Sequence, residues 1–200
     1  MVAAAIVTAV VIGGLTQVSR QSSGYDANSA RTLAAQGGIV ADQSNVTSSS
    51  VRSLMNGLQG QSRQGLEVAL DGAVQQTASQ EARARFVSSH NALGTLSGEF
   101  VAVFADRAES MSALRGALDG FLGLQPLPVA GAVVKADDSA GQKTLLSATQ
   151  ATTRIAAAGS LLAQSDQLYR SVRRTLATGV GHGHLPRSVW VTDMVFSEQV

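Results

Sequence analysis

The chain has 200 residues, a formal net charge of +1 and no cysteine. That length supports a domain with a buried core, and near-neutral charge excludes the electrostatic footprint of a nucleic-acid binder. The absent cysteines exclude a disulfide framework and a thiolate metal site, and aromatics at 4% are too sparse for base-stacking platforms.

The first element is the apolar run MVAAAIVTAVVIGGLTQVSR, broken between Val2 and Leu15 only by Thr8. As a helix, about 17 residues cover roughly 26 Å, near the lower limit for crossing a ~30 Å hydrocarbon layer. Three readings are open: an uncleaved anchor, a cleaved export signal, or a helix of a soluble core. No Lys or Arg precedes the run, and the best small-residue cleavage candidate, Ser22-Ser23-Gly24, lies well beyond it. Both features count against a signal peptide. The favoured reading is a membrane anchor over 1–19 that meets the lipid bilayer through 2–18. The natural start is then expected upstream.

Residues 20–178 read as an extracytoplasmic antiparallel bundle of about four helices. Together with the anchor and a short C-terminal strand-like tail, this gives an all-α fold. From Gln21 to Leu58 the apolar positions are sparse, Gly37-Gly38 is the internal weak point and QSNVTSSS is a poor helix former, but the favoured reading is one long juxtamembrane helix continuing the anchor. Asn56-Gly57 and Gly60 mark a turn. Ser62 is a capping residue for RQGLEVALDGAVQQTASQEARARF, whose Leu66, Leu70, Ala73, Val74 and Thr77 recur at helical spacing. Ser88-Ser89-His90-Asn91 and Gly94 predict the next break. Beyond it, Leu93, Leu96, Phe100, Val103, Arg107, Met111, Leu114, Leu118 and Phe121 alternate steps of three and four, an apolar seam apart from Arg107. Two of the three prolines lie in GLQPLPVAGAVVKADDSAG, which cannot begin as regular helix. Asp137, Asp138 and Ser139 supply acids and a cap for the last helix. That helix repeats the seam through Leu145, Thr149, Thr152, Ile155, Gly159, Leu162, Asp166, Tyr169, Val172 and Leu176, and Gly179 is its stop. Residues 179–200 form a loop and the beginning of a further β-rich segment. SVWVTDMVF is β-branched and aromatic, and it either opens another domain or docks on the bundle.

The chain offers little chemistry. His182 and His184 flank Gly183, but His90 is the only other histidine, and a loop with glycines at 179, 181 and 183 preorganises no ligand set. GVGHGH is followed by Leu185-Pro186 rather than a helix start, so it lacks the context of a phosphate loop. Asp137-Asp138 is explained by helix capping. No catalytic, cofactor-binding or metal-ligating residue is therefore assigned. Arg107 and Asp166 fall on inward seam positions of different helices, where pairing would satisfy two costly buried groups. Such a pair either senses a ligand or sets helix register, or the seam phase is slightly off and both face water; the non-sensing readings are favoured because lone polar seam residues most often set register.

Two resemblances follow. Anchor, long helix, two middle helices and a returning helix over 1–178 resemble the extracytoplasmic four-helix sensor domain of chemoreceptors, which implies small-molecule sensing. RQSSGYDANSARTLAAQG, QPLPVAGAV and LYRSVRRTLATGVGHGHLPRSVWV resemble uncharacterised membrane-anchored exported proteins of high-GC Gram-positive bacteria. That family implies a layout and an address: single-pass in the cell membrane, with the helices outside the cytoplasm. The expected function is a non-enzymatic stalk or interaction module that uses its helices to meet a protein partner or a second copy. A chemoreceptor-type sensor is the alternative.

Overall fold

The computed structural model describes residues 27–91, 93–123, 145–179 and 184–191. Four long helices account for most of them: α1 (Ala27–Asn56), α2 (Arg63–Ser89), α3 (Thr95–Leu122) and α4 (Ala148–Gly179), with a 3-10 turn at Leu58–Gly60. The fold is an all-helical bundle, and among the described residues there is no strand. The anchor expected at 1–19, the QPLPVAGAV connection and residues 192–200 lie outside the described residues. Among the described residues no helix is long and apolar enough to cross a membrane.

Consecutive helices run antiparallel, as their cross-links show. Gln43 faces Arg83 while Thr47 faces Gln80 across α1 and α2. Asp71 pairs with Arg115, and Ser88 bonds the Ser97 carbonyl, across α2 and α3. Arg107 meets Asp166, and Ser110 bonds the Ala158 carbonyl, across α3 and α4. In each pair one residue number rises as the other falls.

Local chemistry explains the helix ends. The Ser62 hydroxyl accepts a hydrogen bond from the Gly65 amide at 3.0 Å and caps α2. Gly94, with φ of +51°, precedes α3, and Gly123, at φ +62°, closes it in the left-handed conformation that glycine adopts without strain. The cap of α4 differs from the expected Asp137-Asp138-Ser139. Ser147 and Gln150 cap reciprocally: the Ser147 amide donates to Gln150 Oε1 at 3.0 Å, and the Gln150 amide to Ser147 Oγ at 3.2 Å. This S-x-x-Q capping box satisfies two helix-end amides at once, which a distant acidic pair cannot do.

α1 continues unbroken through Gly37-Gly38 and QSNVTSSS. Its buried face is Ala30, Leu33, Ala34, Gly37, Val40, Ala41, Ser44, Thr47, Ser48, Val51 and Leu54. That face keeps helical spacing, but with small and hydroxylic residues, whereas Ile39 and Val46 point outward. Gly37 is required there. A Cβ on it would sit 2.9 Å from Phe100 Cζ, so the glycine makes room for the Phe100 ring against α1.

The seam of α3 is buried from Leu96 to Leu118, and Phe121 at its end is 42% exposed. On α4 the inward seam starts late: Leu145, Thr149 and Thr152 are exposed, and burial is sustained only from Ala158 to Leu176. Two apolar clusters result, an upper one and a lower one in the order given. One gathers Leu33, Leu96, Phe100, Phe104, Tyr169 and Leu176. The other gathers Leu54, Leu70, Met111, Leu114, Leu162 and Trp190. Large apolar side chains stabilise such clusters by about 1.5–3 kcal/mol each.

Candidate functional site

A polar layer separates the two apolar clusters. It runs through Ser44, Thr47 and Ser48 of α1, Thr77 and Gln80 of α2, Arg107 of α3, Ser165 and Asp166 of α4, and Ser188 of the tail, all buried. Arg107, fully buried, is its centre. Its Nη2 donates to Asp166 Oδ1 at 3.0 Å. Nη1 donates to Ser44 Oγ at 2.9 Å and Ser188 Oγ at 3.0 Å, and Nε to Ser165 Oγ at 3.3 Å. These bonds engage four of the five guanidinium N–H donors. The rings of Phe104 and Tyr169, each 5.4 Å from the guanidinium carbon, and of Trp190, at 5.7 Å, add cation–π attraction in a desolvated setting.

Electrostatics follow from that enclosure. Burial pulls the Arg107 pKa down, and the charge and hydrogen bond of Asp166 pull against it. An arginine titrates so far above neutrality that it stays cationic. Burial raises the Tyr169 hydroxyl despite the opposing Arg107 and Arg173 charges, so Tyr169 is a neutral donor.

The tail completes the layer, and it differs from the expected strand. Over 184–191 the chain forms neither helix nor strand, and it bends at Trp190 and Val191. Side chains of α1 and α4 take its backbone bonds instead. Arg173 Nε donates to the Leu185 carbonyl at 3.0 Å, and the Tyr169 hydroxyl to that of Pro186 at 2.8 Å. Asn45 Nδ2 donates to the Arg187 carbonyl at 2.9 Å, and Ser48 Oγ to that of Val189 at 3.4 Å. Asp166 Oδ2 accepts from the amides of Trp190, at 2.7 Å, and Val191, at 3.1 Å. Trp190 Nε1 donates to Ser44 Oγ at 3.0 Å. The described part of 179–200 therefore docks on the bundle, the second of the two readings of this segment. A β-branched, aromatic sequence suits any buried non-helical segment, and here helix side chains satisfy its backbone groups.

The extensive helix contacts lie between consecutive helices, and the tail occupies the space between α1 and α4. Leu185 is seated against Gly37, and Pro186 lies 3.6 Å from a Cβ built on Gly38. Ser44, Ser165, Ser188 and Trp190 were not singled out from sequence. The usable signal was the small-residue periodicity of α1, which hydrophobicity patterns do not register.

Beside the layer, a cleft of about 580 Å³ opens between the second half of α4 and the tail, with Arg170, Arg173, Arg187, Tyr169 and Ser188 among its walls. Of the two flanking histidines, His184 is exposed and His182 lies outside the described residues. Among the described residues no group of three His, Cys, Asp or Glu side chains is placed to hold a metal ion.

Fold and site together define a class: a helical bundle whose buried charged layer is closed by a non-helical segment of its own chain. No family model, curated protein or solved structure matches the chain.

Proposed function

We propose that the protein is a non-enzymatic, membrane-anchored helical module that stands outside the cytoplasm and acts as a stalk or interaction domain. One observation supports the reading above the others: the fully buried Arg107 has four of its five donors engaged by the protein's own side chains, an arrangement suited to rigidity rather than turnover. Attachment falls to the apolar run at 2–18. The test is membrane fractionation of the full chain with protease added only from outside. The expected result is a membrane-bound product whose helices are cut from that side; a wholly soluble product removes the reading.

The arginine-walled cleft favours a second reading, a sensor of small anionic molecules. Three guanidinium groups along one opening suit a carboxylate. A thermal-shift screen against amino acids and organic acids tests it, because a ligand selective for the folded state raises the melting temperature. An unchanged midpoint across the screen removes it.

A further inference from the structure

The tail is held in the manner of a bound peptide. Four of its carbonyls, those of Leu185, Pro186, Arg187 and Val189, accept side-chain donors, and two of its amides bond Asp166. Backbone bonds of this kind supply affinity that is independent of sequence, and pockets for selected side chains supply specificity. Three side chains are selected. Leu185 enters the upper cluster, Trp190 the lower one, and the Ser188 hydroxyl accepts from Arg107 between them. Arg187 faces outward. The recognised pattern is Leu-Pro-x-Ser-x-Trp.

We propose that the groove between α1 and α4 is a peptide-recognition site, filled in cis by 185–191, and that its partner in trans is the same segment of a second copy of this chain. The reasons lie in the fit. Without an occupant, Ser44, Arg107 and Asp166 lose partners they cannot replace from the helices around them, so the site favours being filled. The one segment whose fit to those groups is visible is the chain's own. Exchange of an identical segment between copies recreates every contact and breaks none, which makes it a low-cost route to association. The inference does not depend on membrane attachment.

Two experiments on the full chain test it. In the first, a protease site is inserted between Gly181 and His182 and cut. Trp190 is the only tryptophan, so its emission reports occupancy of the groove. The C-terminal fragment is expected to stay bound with blue-shifted emission. The synthetic peptide HLPRSVWV should displace it one for one, and the same peptide with Trp replaced by Ala should be weaker by at least about a hundredfold. Loss of the fragment on cutting, or equal competition by both peptides, overturns the recognition site. In the second, the absence of native cysteines allows Asn45→Cys and Arg187→Cys to be placed in separate chains, mixed, and treated with a short bis-maleimide. A 45–187 linked heterodimer is expected. The chain carrying both substitutions should link within itself at low concentration, and failure to do so overturns the docking. Displacement by peptide without any heterodimer overturns the second copy as partner and leaves a foreign peptide of the same pattern.

Discussion

The two halves of the polar layer solve the same problem differently. On the α3–α4 side, a buried cation has a carboxylate, three hydroxyls and three aromatic rings around it. On the α1–α2 side the groups are neutral. Thr47 Oγ1 lies 3.0 Å from Gln76 Oε1 and accepts from Gln80 Nε2 at 2.8 Å, while Gln80 Oε1 is buried with no hydrogen-bond partner among the described residues. An orphaned amide oxygen costs a few kcal/mol at most, whereas an unpaired buried charge costs far more. The charged half therefore recruits a fifth chain segment to close it, and the neutral half leaves one acceptor open.

Substitutions break this contrast in a definite order. Asp166→Leu has the largest effect, because it strands Arg107 and two tail amides together; about 5 kcal/mol is expected from urea midpoints at constant m-value. Adding Arg107→Leu should recover most of that loss, since a buried pair replaced by apolar groups is often neutral. A double variant no more stable than the single one would show that the pair is not the cause. Trp190→Ala comes next, at about 3–5 kcal/mol, because it leaves a cavity in the lower cluster and unseats the tail. Hydrogen exchange at the Val191 amide should rise with it, and unchanged protection would separate the tail from the core.

Ser44→Ala sharpens the comparison on a smaller scale. Ser44 Oγ accepts from both Arg107 and Trp190, so its removal should cost about 1–3 kcal/mol in a denaturant titration. On the neutral side, Gln80→Leu should change stability by less than about 1 kcal/mol in either direction, since it deletes an orphaned acceptor along with one bond. A loss near that of Ser44→Ala would mean that the two halves are equally demanding.

Much of the bundle was legible in the residues. The three-four spacing of Leu, Val and Phe on α3 identifies a helix and its buried face, because burial of one face at 3.6 residues per turn demands that pattern. The same spacing puts Arg107 and Asp166 inward, where the structure brings them to 3.0 Å. α1 was harder to read, because its inward residues are small or hydroxylic and its largest exposed apolar residues, Ile39 and Val46, point the other way. The cap of α4 was misplaced because an acidic pair and a Ser-x-x-Gln box both satisfy the rules for helix starts.

What the sequence determined by itself is what near neighbours determine: helix spacing, the Ser62 cap, the glycine breaks and an inward Arg107. The destination of SVWV was decided only in three dimensions. Its partners, Ser44, Ser48, Arg107 and Asp166, lie on the first, third and last helices, none of them a near neighbour in the chain. A non-helical apolar segment carries no local record of whether a strand or a set of helix side chains will satisfy its backbone. The choice went to whichever surface offered donors, an acceptor and an open core at once.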